Sequence, residues 1–314
     1  MKRWPFITAI LIIAILSASA GTVSAFTGAF DIVDDRTLVD QNGRAIRVDK
    51  PFDRIISLYG AHTENLFALG AGDAVIGVSR SESYPPAALE KPRFSYHDDP
   101  EKFLAARPDL VLIRPMIDRG YFQLMARLEK SGITVVSIQP GTVGEMYRYW
   151  RILGILTGKK AAALEMVSRF QTETTAIRAK TKPISPKKRV YFEAIHSRMK
   201  TFSQDSMAVF ALETAGGVNV AEDAAPSRGT NIANYGKEKI LSHAHEIDVY
   251  LAQHGAMNQP TVDEIRNEPG FGIIKAVQEG EIYIIDEEIV SRPTPRLIEG
   301  IHAIKNILYP NRFK

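Results

Sequence analysis

The sequence predicts an α/β protein of two Rossmann-like lobes, each built on a parallel sheet, joined by one long α-helix. Three patterns carry this expectation. Short apolar runs rich in β-branched residues alternate with helical segments over residues 54–138, as in parallel sheets covered on both faces. A proline-free stretch then runs from Val143 to about Lys180, with Met146, Trp150, Leu153 and Leu156 at helical spacing. After Pro183 and Pro186 the alternation restarts at Arg189. The 314 residues suffice for two such units of ordinary size.

Taken in order, residues 1–25 read as an export signal. Lys2 and Arg3 precede the apolar run Phe6–Leu16, and small residues end in Val23-Ser24-Ala25, the order of a secretory leader. Cleavage after Ala25 and a periplasmic destination are expected; a retained N-terminal anchor is the alternative. The N-terminal lobe, 26–142, begins with a hairpin: Arg36–Asp40 and Arg44–Val48 flank Gln41-Asn42-Gly43, and Asn-Gly between extended runs is a hairpin signal. Strands follow at Arg54–Leu58, Ala74–Val78, Leu110–Ile113 and Ile133–Ile138, with helices at Thr63–Leu69, Glu101–Ala106 and Tyr121–Lys130. The linking helix occupies 143–182. The C-terminal lobe, 183–314, has strands at Arg189–Glu193, Asp248–Leu251 and Glu281–Ile285, and helices at Met207–Thr214, Lys237–His243 and Pro295–Leu308.

Composition narrows function. The chain has no cysteine, which excludes disulfides, thiolate metal sites, cysteine nucleophiles and a lipid-bearing cysteine, and suits an oxidising compartment. A formal charge of +3 is too small to predict a nucleic-acid partner. A monomer is expected. Gly70-Ala71-Gly72-Asp73 begins like a dinucleotide fingerprint, but it lies after a helix and before a strand, the reverse of the required order. Neither a phosphate-binding Gly-Lys-Ser/Thr loop nor a Gly-x-Ser-x-Gly elbow is present. His243-Ala244-His245-Glu246 reads as a helix end, where histidine complements the negative pole. His97-Asp98-Asp99 suits a hard cation and an acidic helix start equally. No metal site and no covalent chemistry are therefore expected.

Polar and aromatic side chains recur where predicted strands end. These are Tyr59 and His62; Arg80 and Tyr84; Tyr96 and His97; Arg114; Glu193, His196 and Arg198; Arg228; His254; and Arg292. Ligands of open α/β sheets bind outside the carboxyl ends of the strands, so these residues are the candidate lining of one cleft. Guanidinium groups match carboxylates and oxoanions, and rings stack on planar ligands. An anionic metal chelate fits, with histidine or tyrosine ligation of a haem iron as an alternative.

Several stretches together resemble a family. They are Thr37–Arg44; Arg54–Leu58 with Thr63–Asp73; Ile76-Gly77-Val78 with Tyr84-Pro85-Pro86; Glu101–Val111; Ala276–Tyr283; and Pro295–Gly300. Their order is similar to that in the substrate-binding proteins of bacterial ABC importers for iron–siderophores, haem and cobalamin. The resemblance covers nearly all of the chain after the leader. It implies two lobes joined by a rigid helix, no enzymatic activity and no cofactor. Its ligand is a transported solute, most simply a ferric siderophore, with corrinoid, haem or oxoanion as alternatives. A corrinoid would call for more tryptophan than Trp4 and Trp150. The partners it implies are an inner-membrane importer permease and its ATPase. In this family each lobe carries a glutamate that meets permease arginines; the matching positions are Glu101 and Glu238. A secreted metal-dependent enzyme or chelatase on the same fold is the alternative of another class.

Overall fold

A computed structural model describes residues 29–227 and 230–312. The expected leader and Arg228 lie outside the described residues. The hairpin is present as a three-stranded antiparallel sheet of β1 (Asp31–Ile32), β2 (Thr37–Val39) and β3 (Ala45–Arg47). Gly43 turns the chain with φ +82°, a conformation that favours glycine. The fully buried Asp40 accepts the backbone N–H groups of Asn42, Arg44 and Ser137. Arg44 bridges Asp40 to Asp118. A local turn signal is thus also a docking device for the next sheet.

That sheet is formed by β4 (Ile55–Ser57), β5 (Val75–Ser79), β6 (Arg93–Phe94), β7 (Leu110–Ile113) and β8 (Thr134–Ser137), all parallel, in the order β6-β5-β4-β7-β8. Helices α1 (Gly60–Ala68), α2 (Pro86–Leu89), α3 (Pro100–Ala106), α4 (Pro115–Gly120) and α5 (Phe122–Lys130) connect or flank these strands. All four residues of β7 are buried, which explains its unbroken apolar run. Helix α1 begins at Gly60, three residues before the expected Thr63, because Tyr59 is the last extended residue. Gly70, at φ +71°, makes the helix-to-strand turn expected there.

The stretch from 143 onward departs from a single helix. It folds as α6 (Val143–Leu156) and α7 (Lys160–Thr181), separated at Thr157-Gly158-Lys159, with Gly158 left-handed at φ +69°. A glycine just past a helix end is a stop signal. The two helices lie antiparallel: a side chain on Gly154 would sit 2.6 Å from Ala163 Cβ, and the Trp150 and Phe170 rings meet edge to face. Helix α7 alone, 22 residues and about 33 Å long, continues to the C-terminal lobe, where Phe170 stacks near Phe210 of the helix Met207–Thr214.

The second sheet combines β9 (Arg189–Ile195), β10 (Lys200–Phe202), β11 (Val218–Asn219), β12 (Ala225–Pro226), β13 (Ile232–Asn234), β14 (Val249–His254) and β15 (Ile282–Asp286). Its centre, β9-β14-β15, is parallel as expected. Unlike the first sheet it is mixed, since β10 runs antiparallel to β9 and to β13. Strand β13 therefore points the same way as β9. Helices α8 (Met207–Thr214), α9 (Lys237–Ser242), α10 (Val262–Asn267), α11 (Lys275–Glu279), α12 (Glu287–Val290) and α13 (Leu297–Leu308) complete the lobe. One core cluster runs through both lobes along α6, α7, α8 and α13, with Tyr149 and Trp150 fully buried. Among the described residues no helix is long and apolar enough to cross a membrane.

Candidate functional site

In the N-terminal sheet the chain reverses direction across the sheet at β4 and β7, and their carboxyl ends define its crevice. Tyr59 follows β4 and Arg114 precedes α4. The Arg114 guanidinium lies 4.6 Å from the centre of the Tyr59 ring, and its buried Nε has no hydrogen-bond partner. Burial raises the Tyr59 phenol above its usual pKa, opposed by the charges of Arg114 and Arg292. Residues 82–84, after β5, reach the same region, and the C-terminal lobe faces it with the end of β14, α12 and the segment 291–296.

Contacts between the lobes are polar and specific. The Pro293 carbonyl accepts from Asn65 Nδ2 at 3.0 Å and from Trp150 Nε1 at 3.1 Å. Arg296 pairs with the buried Glu64 at 3.3 Å and covers the Tyr84 ring at 4.2 Å. The Ser83 hydroxyl donates to Glu288. Arg292 donates to Glu288 at 2.8 Å and to Ser83 Oγ at 3.4 Å. Burial raises the carboxyl pKa values of Glu64, Glu82 and Glu287, and nearby arginines pull each back.

These contacts change the expected character of the cleft. The structure brings Tyr59, Arg114 and Arg292 together, and sets Tyr84 beneath Arg296. However, Arg292 is committed to Glu288, and Arg80 is paired with Asp98 on the surface, so the lining is not a field of free guanidinium groups. His62 is a second correction. It is fully buried, with Nε2 3.2 Å from the Ile113 carbonyl and Nδ1 2.6 Å from the Tyr149 hydroxyl. Since a carbonyl only accepts, Nε2 carries the proton, and Nδ1 accepts from Tyr149. Desolvation holds its pKa down at about 3, and no ring nitrogen is left for a ligand. The shift of the α1 start to Gly60 is what turns this residue inward.

Tyr96, His97 and Tyr121 form a separate ring cluster at the rim of the N-terminal lobe. Tyr121 is 4.6 Å from Tyr96 between centroids, and its hydroxyl lies 3.1 Å from His97 Nδ1. In the C-terminal lobe, Glu193 is fully buried and holds His196 Nδ1 at 2.8 Å, Asn258 Nδ2 at 3.4 Å and the Tyr250 hydroxyl. The hydrogen bond to Glu193 raises the His196 pKa above its usual value. This pair supports the 255–258 turn through Asn258, which also accepts the His196 backbone N–H; Glu193 is buried, whereas the His196 ring is partly exposed. Arg198 and His254 are exposed.

Glu64, Glu82, Ser83, Glu287, Glu288, Arg296 and Tyr121 were not read from the sequence as site residues. Glu82 and Ser83 lie between Arg80 and Tyr84, and Glu287 and Glu288 directly follow β15; their place after strands was the available signal. A hollow of about 320 Å³, lined by Lys187, Gln204, Glu213 and Asn219 among others, lies at the opposite, amino end of β9. Among the described residues no group of three or more His, Asp or Glu side chains is placed to hold a metal ion. Glu101 and Glu238 are exposed in the first turns of α3 and α9. Glu101 makes a 3.3 Å exposed pair with Arg127.

Comparisons place this architecture among known proteins. The sequence profile of the family described as periplasmic binding protein matches residues 55–289. An uncharacterized ABC transporter substrate-binding lipoprotein, YvrC, of Bacillus subtilis is 26% identical over 283 residues, covering 88% of this chain and 87% of its own length. The vitamin B12-binding protein of Vibrio cholerae is 26% identical over 263 residues, covering 81% of this chain and 89% of its own. Among solved structures, a possible iron-binding periplasmic solute-binding protein from Staphylococcus epidermidis superposes with a TM-score of 0.72 at 26% identity, over 83% of this chain and all of that one.

Proposed function

Because this chain belongs to the periplasmic binding protein family, we propose that it captures a metal chelate, specifically a ferric siderophore, between its lobes and delivers it to an ABC importer. The observation that carries this is the convergence of strand-end side chains from both sheets on one cleft: Tyr59, Arg114 and Ser83 from one lobe, Glu288 and Arg292 from the other. The cleft offers aromatic surface and hydrogen-bonding groups that suit the polar periphery of a chelate. No acid–base pair is assigned a chemical step, so the protein is read as a carrier.

Haem is the second reading, favoured by the Tyr96–His97–Tyr121 cluster, whose exposed His97 and phenol are iron-ligand types. A corrinoid finds less support, because the fully buried Trp150 donates to Pro293 and offers no stacking face. Delivery is proposed to use Glu101 and Glu238. Both follow strands that point toward the cleft end of their sheets, β6 and β13, so both can face one permease. Helix α7 and the 291–296 segment would permit only small lobe closure. The test is native mass spectrometry with elemental analysis on protein from its own periplasm. An iron-bearing chelate of siderophore mass is expected; a porphyrin mass would install the second reading, and a cobalt corrinoid would overturn both.

A further inference from the structure

Resting on the cleft-binding reading, the geometry points to the chemistry of the ligand group that enters deepest. Arg292 sits among more carboxylate than it can pair. It bonds to Glu288 and Ser83, and Arg296 reaches Glu288 only at 3.6 Å, yet the buried Glu82 Oε1 and Oε2 and Glu287 Oε2 make no well-formed hydrogen bond. Glu82 has only the Thr63 hydroxyl and the Ser83 N–H nearby, and Glu287 the Ala256 N–H. Glu82 is only 7% exposed. Buried carboxylate oxygens with so few and such poorly aligned donors are costly and call for an explanation.

Two glycines shape the place. A side chain on Gly60 would meet Arg292 Nη1 at 2.8 Å and Glu82 Oε1 at 3.3 Å, so both groups converge on the space above that glycine. Across the cleft, Gly255 leaves the room that Glu287 fills. The charge of Arg292 opposes the rise in the carboxyl pKa values of both Glu82 and Glu287, which places all three groups in one electrostatic site.

We propose that Glu82, Glu287 and Glu288 form an acceptor nest that recognises a cationic, hydrogen-bond-donating group of the ligand, and that Arg292 holds this place in the ligand-free protein. This reverses the role read from the sequence. Arg292 is a stand-in for the ligand rather than its anion partner, and the spare acceptors are filled when a donor-bearing group displaces it.

The test has two arms. In the first, purified Arg292→Ala is melted with methylguanidinium chloride and, separately, with sodium sulfate. Filling the vacated nest to about ten times Kd should raise Tm saturably by about 3 °C, with sulfate giving only the non-saturable salt effect it has on the unaltered protein and no saturable response of the unaltered protein to methylguanidinium. Arg292→Ser is the reserve variant should the alanine protein not fold. In the second arm, calorimetry compares the unaltered protein with a ferric trihydroxamate bearing a free ammonium, its N-acetylated neutral form, and anionic ferric dicitrate. The ammonium form should bind about tenfold tighter than the acetylated form, the scale of one charge-assisted hydrogen bond, and Glu82→Gln should erase that preference. Indifference of the Arg292 variant to methylguanidinium, saturable stabilisation by millimolar sulfate beyond its general salt effect on the unaltered protein, or equal binding of charged and neutral chelates overturns the nest while leaving the carrier reading intact. A methylguanidinium response without binding of any chelate upholds the nest and overturns the siderophore reading.

Discussion

Two histidines follow the first strand of the main sheet in their respective lobes, and the protein uses them in opposite ways. His62 lies beyond β4, fully buried, with a neutral ring satisfied by a hydroxyl and a carbonyl. His196 lies directly beyond β9, partly exposed, between Glu193 at 2.8 Å and Glu268 at 3.7 Å. Desolvation pushes the first pKa down to about 3, whereas hydrogen bonding to Glu193 pushes the second up. Residue type and topological place are shared; only the neighbours differ. A histidine at a strand end therefore says that polar chemistry is near, but not which kind.

The sharpest way to break this contrast is to truncate the buried ring. His62→Ala should cost about 3 kcal/mol, from a cavity and a Tyr149 hydroxyl left without its acceptor, read by urea denaturation at pH 7. A cost below about 1 kcal/mol, near the level of a surface change, would return His62 to the list of available ligand residues. Next in size is Glu193→Ala, which leaves the buried Tyr250 hydroxyl without its acceptor, takes one of the hydrogen bonds of Asn258 and removes the carboxylate partner of His196; about 2–3 kcal/mol is expected. It should also loosen the 255–258 turn, seen as faster amide exchange there than in the N-terminal lobe.

Acidity sharpens the comparison without truncation. The unfolded state binds a proton at His62 below about pH 6.5, whereas the folded state resists it to about 3. Stability assigned to His62 should therefore fall as pH drops through that window, and His62→Gln should flatten that slope. His196 runs the other way. Its folded pKa is raised, so its contribution is present below about pH 6.5 and fades as pH rises through the folded value. His196→Gln should cost about 1 kcal/mol at pH 5.5, the order of one hydrogen bond to a charged group, and less at pH 8.5. Parallel slopes for the two variants would sink the distinction.

The smallest effect on stability is expected where the two lobes do match, at Glu101 and Glu238. Alanine at either should stay within about 0.5 kcal/mol of the parent and leave ligand affinity unchanged. Uptake through a reconstituted permease should drop, more in the double variant and more at low salt. Full uptake by the double variant at low salt would remove both from the docking surface.

Much of the fold was legible because it depends on short stretches. Asn42-Gly43 announced its hairpin, the buried β7 its apolar run, and Met207–Thr214 its helix with the same bounds as observed. The break at Gly158 was equally local, a glycine ending a helix, but it was masked by continuous helical composition on both sides. The antiparallel β10 and β13 went unread because Lys200-Thr201-Phe202 and Ile232-Ala233-Asn234 lack the apolar run that marks β4.

The amino-acid order alone was sufficient for two α/β units, the places where polar side chains meet strand ends, and the family, since each rests on patterns spanning a few to some tens of residues. The balance of charge in the cleft came from elsewhere. Ser83 meets Glu288 across 205 positions, Arg296 meets Glu64 across 232, and Asn65 meets Pro293 across 228. Such pairings leave no periodic trace, because each side chain's local sequence is indifferent to a partner in the other lobe. Whether Arg292 awaits an anion or already occupies a carboxylate nest is therefore set by how the lobes pack, where burial removes water and makes every unpaired oxygen count.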